Sequence, residues 1–187
     1  MTAGTTDIFL LIIIVSSLVV GFFWGAARSL MLLAAWVLAF LAGAYLKVEL
    51  GAYLSRYWEN FTPAFNEMAA FGIIYVGLLL AAPVLVMIIL RGNQHITRLQ
   101  VLDDAVGAIF AVFVAVLGVA GVIIVLATFY GADGATISAT GGPVWTANLY
   151  SSLLGSAIGE AINERMVPFI GFVLGPILPP EVAEAIP

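Results

Sequence analysis

The chain has 187 residues, of which 63% are hydrophobic and only 9% are charged, so it lacks the polar side chains needed to cover a water-soluble core of this size. With a mean hydropathy of +1.16, its solvent is expected to be lipid. The net charge of −5 and the six scattered Lys and Arg residues exclude nucleic acid as a partner, because phosphate backbones are bound by clustered basic residues.

Two uncharged runs occupy the N-terminal part of the chain. Residues 8–27 and residues 29–46 are each about long enough to cross a bilayer as a helix. One straight helix through both would be about 58 Å long, nearly twice the ~30 Å thickness of the hydrocarbon layer. The chain is therefore predicted to turn between these two spans, close to Gly21, Gly25 and Arg28, because glycine tolerates turn geometry.

Residues 47–67 carry charges of both signs and are predicted not to span the membrane. Their apolar positions recur at helical spacing and fall on one face: Leu50, Tyr53, Leu54, Tyr57, Trp58 and Phe61. This pattern predicts an amphipathic helix in the membrane interface, with its aromatic residues at the headgroup level. A short helix folded back on the bundle fits the same pattern nearly as well.

The third and fourth spans are predicted over residues 68–90 and residues 103–130. Pro83 is expected to kink the third span, because it removes one backbone hydrogen bond. Asp103 and Asp104 open the fourth span, where carboxylates suit the unpaired N–H groups and the positive end of the helix dipole. The sequence therefore predicts an all-α membrane domain of four transmembrane helices with interfacial amphipathic helices.

Residues 131–187 are predicted to form a second segment after the four-helix membrane domain of residues 1–130. A loop rich in Gly, Ala, Ser and Thr is expected over residues 131–142. One amphipathic helix is predicted next, with an apolar stripe formed by Tyr150, Leu153, Leu154, Ala157, Ile158 and Ala161. Residues 166–178 are apolar but too short to span, so they are predicted to lie in the interface or against the bundle, and residues 179–187 are expected to fray.

Charge placement predicts the orientation of the four spans. Four crossings put both termini on one side of the membrane, and the two connectors that contain Arg28 and Arg91, His95 and Arg98 on the other. Because basic connectors face the cytoplasm in most membrane proteins, both termini are predicted to lie outside the cytoplasm.

On this topology Arg28, Asp103 and Asp104 stand at the same membrane face. An ion pair between Arg28 and one of the aspartates fits this placement, and so does simple hydration of all three side chains. Intramembrane proteolysis is excluded, because the single His is His95 in a connector and the two aspartates are neighbours on one helix. The chain also has no cysteine, so we expect no catalytic residue, no metal site and no cofactor.

Small residues four positions apart suit close contact between membrane helices. Three such pairs occur in the chain: Gly21 with Gly25, Gly107 with Ala111, and Gly155 with Gly159. They favour a tight bundle or a homo-oligomer. An oligomeric channel or small-solute transporter remains the second candidate function, although the four predicted spans hold none of the ionisable groups typical of coupled transport.

The order and spacing of these residues resemble the colicin V production protein family of bacterial inner-membrane proteins (CvpA-like proteins). The likeness runs through Asp7, Gly21, Gly25, Arg28, Leu32, Leu33 and Trp36, and resumes at Leu102, Asp103 and Gly107. It covers roughly residues 6–130. Ala111 stands where the family has a second glycine, so the helix contact at that position is expected to be looser.

This resemblance implies a four-span protein of the bacterial inner membrane with both termini outside the cytoplasm. It further implies a role in colicin V production or export, or more broadly in cell-envelope upkeep, with membrane lipids, envelope or secretion proteins, or further copies of the chain as partners. No catalytic residue is carried over, so an enzyme is not expected. The motif positions are expected to be structural: Gly21, Gly25, Arg28, Trp36, Asp103, Asp104 and Gly107.

Overall fold

A computed structural model describes residues 3–89, 100–131 and 142–186. Within these ranges the protein is helical and has no strand. Its elements are α1 (Ala3–Leu54), α2 (Pro63–Ile89), α3 (Gln100–Tyr130), α4 (Val144–Leu154), α5 (Ala157–Leu174), a 3-10 turn (Gly175–Ile177) and α6 (Pro180–Ala183). The predicted basic connector with Arg91, His95 and Arg98 lies outside the described residues, as does most of the predicted loop before α4.

Three of these helices are long and apolar enough to cross a membrane: Gly4–Leu54, Pro63–Ile89 and Val101–Tyr130. The first two predicted spans therefore form one long helix, α1, which has 52 residues. It is not regular throughout, because Gly25 has φ 73° and ψ 174°. Glycine adopts this backbone conformation readily and other residues do not, so α1 is broken at Gly25, close to where the chain is predicted to turn.

The part of α1 before the break, which we call the first arm (residues 3–25), runs antiparallel to α3. A Cβ atom placed on Gly21 would meet Ala111, and one placed on Gly25 would meet Asp103. As the first arm advances, it therefore moves toward the N-terminal end of α3.

The part after the break, the second arm (residues 26–54), runs in the opposite direction. It starts at the N-terminal end of α3, where the backbone of Ala26 bonds an α3 side chain. Ten residues later, Trp36 is joined through Tyr75 of α2 to the backbone of Gly118 on α3. The second arm thus rises along α3, and α1 as a whole is a helical hairpin.

Aromatic side chains fill the space between the second arm and α2. The ring of Phe40 stacks on Trp36 and meets the rings of Phe71 and Tyr75, with centroids 5.5–5.8 Å apart. Gly43 leaves room for the Phe71 ring, since a Cβ atom there would lie 2.6 Å from a ring carbon. α2 remains helical through Pro83.

The amphipathic helix predicted over residues 47–67 is not formed. α1 continues through Lys47 to Leu54, residues 55–62 form turns, and α2 begins at Pro63. The predicted helix is interrupted because a new helix, α2, starts within the predicted stretch. Thr62 accepts the N–H of Phe65 at 3.3 Å as an N-cap, and proline is favoured at the first helical position.

The C-terminal segment also differs from its prediction. The single helix expected around residues 150–161 is broken, because Ser156 caps α5 by accepting the N–H of Gly159 at 3.0 Å. The prediction that residues 179–187 fray is wrong for the described part, since Val182 is fully buried in the core. Val167, Ile170 and Leu174 are buried as well, so residues 166–178 pack against the bundle.

Candidate functional site at the Gly25 turn

The turn at Gly25 is held by a carboxylate of another helix. The backbone N–H of Ala26, the first residue of the second arm, donates to Oδ1 of Asp103 at 3.3 Å. The first N–H groups of any helix lack partners within that helix, so a nearby carboxylate satisfies them and also suits the positive end of the dipole. Asp103 thus does for the second arm what an N-cap side chain does in other helices.

The second feature of the site is a very close approach of the first arm to α3. A Cβ atom on Gly107 would lie 2.5 Å from the carbonyl carbon of Gly25 and 2.6 Å from the carbonyl oxygen of Gly21. Ala111, in the place of the family's second glycine, packs its methyl group directly against Gly21 and is buried. The expected loosening at Ala111 is therefore not seen, because Gly21 across the interface provides the missing space.

The ion pair considered for Arg28 is not formed within the described residues. Arg28 and Asp104 are both partly exposed, and neither has a charged partner within 4.0 Å in the part of the chain that the structure describes. Asp103 instead engages the backbone of the turn. Ser29, one residue after Arg28, is fully buried, and its hydroxyl has no hydrogen-bond partner among the residues that the structure describes.

Trp36 connects the second arm to both neighbouring long helices. Its indole Nε1–H donates to the hydroxyl of Tyr75 at 2.8 Å, and that hydroxyl donates to the carbonyl oxygen of Gly118 at 3.0 Å. Both side chains are buried. Sequence analysis did not single out Tyr75, although a phenol in the middle of an apolar run was a readable signal, because buried hydroxyl groups need a partner.

Polar contacts at other points tie the C-terminal segment to both arms. Asp7 Oδ1 accepts the N–H of Ile158 at the start of α5, at 2.9 Å. In the second arm, Lys47 Nζ lies 3.0 Å from Glu181 Oε2. The Lys47 side chain is only 6% exposed whereas that of Glu181 is 66% exposed, so Glu181 reaches in to pair a nearly buried charge.

The chemistry of these contacts is that of helix packing and helix capping. Asp103 and Asp7 both accept backbone N–H groups, and the glycines allow backbones to touch. No group of three or more His, Asp or Glu side chains that could hold a metal ion occurs within the described residues. Of the motif residues, Arg28, Asp103 and Asp104 are partly exposed beside the turn.

These features define an all-helical membrane protein whose longest helix folds back on itself at a glycine. The family model described as Colicin V production protein matches residues 6–141, which include both arms of α1, α2 and α3. The chain therefore belongs to the colicin V production protein family, as its motifs predicted. Neither the curated proteins nor the solved structures contain a match to the chain.

Proposed function

We propose that this protein is a non-enzymatic component of the bacterial inner membrane that supports the production or export of a colicin V-type toxin, or maintenance of the cell envelope. The proposal is supported by the structural roles of the residues at the family's motif positions. Asp103 caps the second arm, and Gly21 and Gly107 bring two backbones into contact. Residues with these roles build a scaffold, and the matched region contains all of them.

The proposal includes four membrane crossings, with two of them made by the arms of α1. Each arm is long enough for the hydrocarbon layer, since 23 residues of helix extend about 34 Å. The opposite directions of the two arms along α3 support this arrangement. With Arg28 at the turn and further basic residues in the connector after α2, the turn faces the cytoplasm and both termini lie outside it.

Function is tested by complementation of a strain that lacks the gene. The wild-type chain is compared with Gly107→Leu, which forces a side chain into the backbone of the first arm, and with Gly77→Ala, whose added methyl group meets nothing within 4 Å. We expect Gly107→Leu to lose envelope integrity or toxin export and Gly77→Ala to retain it. Equal complementation by both variants, at equal abundance in the membrane, would contradict the scaffold role.

A second measurement distinguishes a scaffold from an oligomeric channel or transporter. Purified protein is reconstituted in liposomes loaded with ions and small solutes, and cross-linked complexes are isolated from cells in parallel. The proposal predicts background flux and a reproducible envelope or secretion partner. Flux well above empty liposomes, abolished by Gly107→Leu and retained in Gly77→Ala, would overturn the non-enzymatic scaffold in favour of a pore.

A further inference from the structure

An apolar groove of about 580 Å³ lies on the side of the bundle away from the Gly25 turn, between α2, α3 and the start of α4. Trp58 and Trp145 line the end of the groove where α2 begins, and Leu80 lines the opposite end. The groove lies apart from the Gly25 turn, although Tyr75 of the Trp36–Tyr75 link and Thr146 of α4 belong to its lining. It therefore calls for an explanation of its own.

The groove exists because α2 carries small residues along this face. Ala69, Gly72 and Gly77 all line it. A Cβ atom added to Gly77 would meet nothing within 4 Å, and one added to Gly72 would meet only a methyl group of Val125, at 3.6 Å. An added Cβ atom would thus fit at both positions, and the absence of side chains there leaves the space open. The concavity is thus created by missing side chains and not by poor packing of the three helices.

The length and surroundings of the groove place it in the hydrocarbon layer. From Phe65 to Leu80 it follows 15 residues of α2, which corresponds to about 22 Å, more than the ~15 Å half-thickness of the hydrocarbon. Trp58 and Trp145 at one end suit the membrane–water interface, where tryptophan is enriched. The groove therefore runs from the interface toward and past the bilayer centre.

The lining indicates an apolar occupant. Thr146 is the side chain there with an aliphatic hydroxyl, and this hydroxyl is already engaged with the hydroxyl of Tyr130 at 2.6 Å and with the carbonyl oxygen of Pro143 at 2.8 Å. The hydroxyl of Tyr75 is likewise engaged with Trp36 and Gly118. Apart from the indole N–H groups of Trp58 and Trp145 at the interfacial end, no side-chain polar group of the lining is thus left over to recognise a hydrophilic ligand.

The size of the groove decides between a helix and a single hydrocarbon chain. A helix of 22 Å length and ~10 Å diameter occupies roughly 1,700 Å³, more than the 1270 Å³ of empty space in the groove and its open mouth together. We propose that the groove binds one acyl chain of a phospholipid, with the glycerol end at Trp58 and Trp145 and the methyl end toward Leu80. This site depends on the protein's lying in a membrane and does not depend on the proposed function.

Quenching of tryptophan fluorescence tests the site directly. Protein in detergent micelles is titrated with a phospholipid brominated near the glycerol end of its acyl chain. In a Trp24→Phe background, which removes the partly exposed tryptophan beside the Gly25 turn, we expect the fluorescence of Trp58 and Trp145 to fall and to saturate near one lipid per chain, while the buried Trp36 is unaffected. Replacing both groove tryptophans by phenylalanine should remove most of the saturable quenching.

Matched variants separate this site from ordinary lipid contact. Gly77→Phe fills the groove, and Ala34→Phe adds the same ring to an exposed position of the second arm. We expect Gly77→Phe to weaken the saturable phase at least tenfold with an unchanged unfolding temperature, and Ala34→Phe to leave it unchanged. Gly72→Leu provides a second groove-filling variant should Gly77→Phe fold poorly.

Two outcomes overturn the proposal. Quenching that rises with lipid content without saturation, equally in all variants, means that the groove holds bulk lipid only. Native mass spectrometry that finds two lipid-free chains per particle, separated into monomers by Gly77→Phe, means that a second copy of the chain covers the groove. A mass of one chain plus one phospholipid, lost in Gly77→Phe, supports the acyl-chain site.

Discussion

The backbone N–H of Ala26 donates to a carboxylate oxygen of Asp103 across 77 positions of sequence, at 3.3 Å. This bond joins the point where α1 reverses to the point where α3 begins. A carboxylate at that place serves two helices at once, because it lies in the first turn of α3 and also accepts the first free N–H of the second arm. The hairpin and α3 are therefore held together at their shared end.

We predict that Gly25→Ala destabilises the protein by about 1–3 kcal/mol, the typical cost of a non-glycine residue in this region of φ and ψ. The added methyl group would also meet Oδ2 of Asp103. Gly77→Ala is the matched control, since helix propensity alone should make it neutral or stabilising by about 0.5–1 kcal/mol. Thermal unfolding in detergent micelles measures both variants, and equal unfolding temperatures would contradict the strained turn.

The two neighbouring aspartates are predicted to differ. Asp103→Ala should lower the free energy of unfolding by about 1–2 kcal/mol, because it leaves the N–H of Ala26 without an acceptor. Asp103→Asn keeps an acceptor oxygen and should recover at least half of that loss. Asp104→Ala should change stability by less than about 0.5 kcal/mol, because this partly exposed side chain has no charged partner among the described residues. Equal losses of the free energy of unfolding at positions 103 and 104 would mean that both carboxylates act only through the helix dipole and that the bond to Ala26 adds no stability.

The contact between the first arm and α3 predicts a strong dependence on side-chain size at Gly107. Gly107→Ala should cost about 1–3 kcal/mol, because its methyl group meets backbone atoms of Gly21 and Gly25 that cannot move aside. Gly118→Ala is the control on the same helix, since its Cβ atom would make only an ordinary contact of 3.6 Å with Leu79. Chemical denaturation measures the free energy of unfolding of both variants. A Gly107→Ala protein as stable as the wild type would show that the first arm and α3 are farther apart.

The buried link through Tyr75 gives a further prediction. Tyr75→Phe leaves the indole N–H of Trp36 buried without an acceptor, so the free energy of unfolding should fall by about 1–3 kcal/mol. Tyr53→Phe, at an exposed position, removes the same hydroxyl group with little expected effect. The double variant Trp36→Phe with Tyr75→Phe should lose less free energy of unfolding than the sum of the losses in the two single variants. Simple additivity would contradict the bond.

Much of the membrane domain follows from the sequence for a simple physical reason. Two uncharged runs that together exceed the bilayer thickness must turn somewhere, and Gly25 lies near the end of the first run. Asp103 at a helix start was equally readable from its position before a long apolar run. The partner of Asp103 could not be predicted. The donor is the backbone N–H of Ala26, and every residue except proline carries such a group, so the sequence does not single it out.

The C-terminal segment shows where sequence patterns fail. The charge of Lys47 contributed to the prediction of an interfacial amphipathic helix, but a charge can lie inside the bundle when a distant partner reaches it, as Glu181 does. The break before α5 could have been predicted, because serine is a favoured N-cap residue and Ser156 lies within the predicted helix. The burial of Val182 could not, since nothing in its four-residue helix specifies what covers it.

The account rests on the reversal of α1 at Gly25, and thiol labelling in cells measures it most directly. Since the chain has no native cysteine, single cysteines at the exposed positions Ala27, Asn60 and Leu102 are unambiguous probes. We predict that the thiols at Ala27 and Leu102 react only from the cytoplasmic side and that the thiol at Asn60 reacts only from the outside. Labelling of Ala27 and Asn60 from the same side would contradict the hairpin.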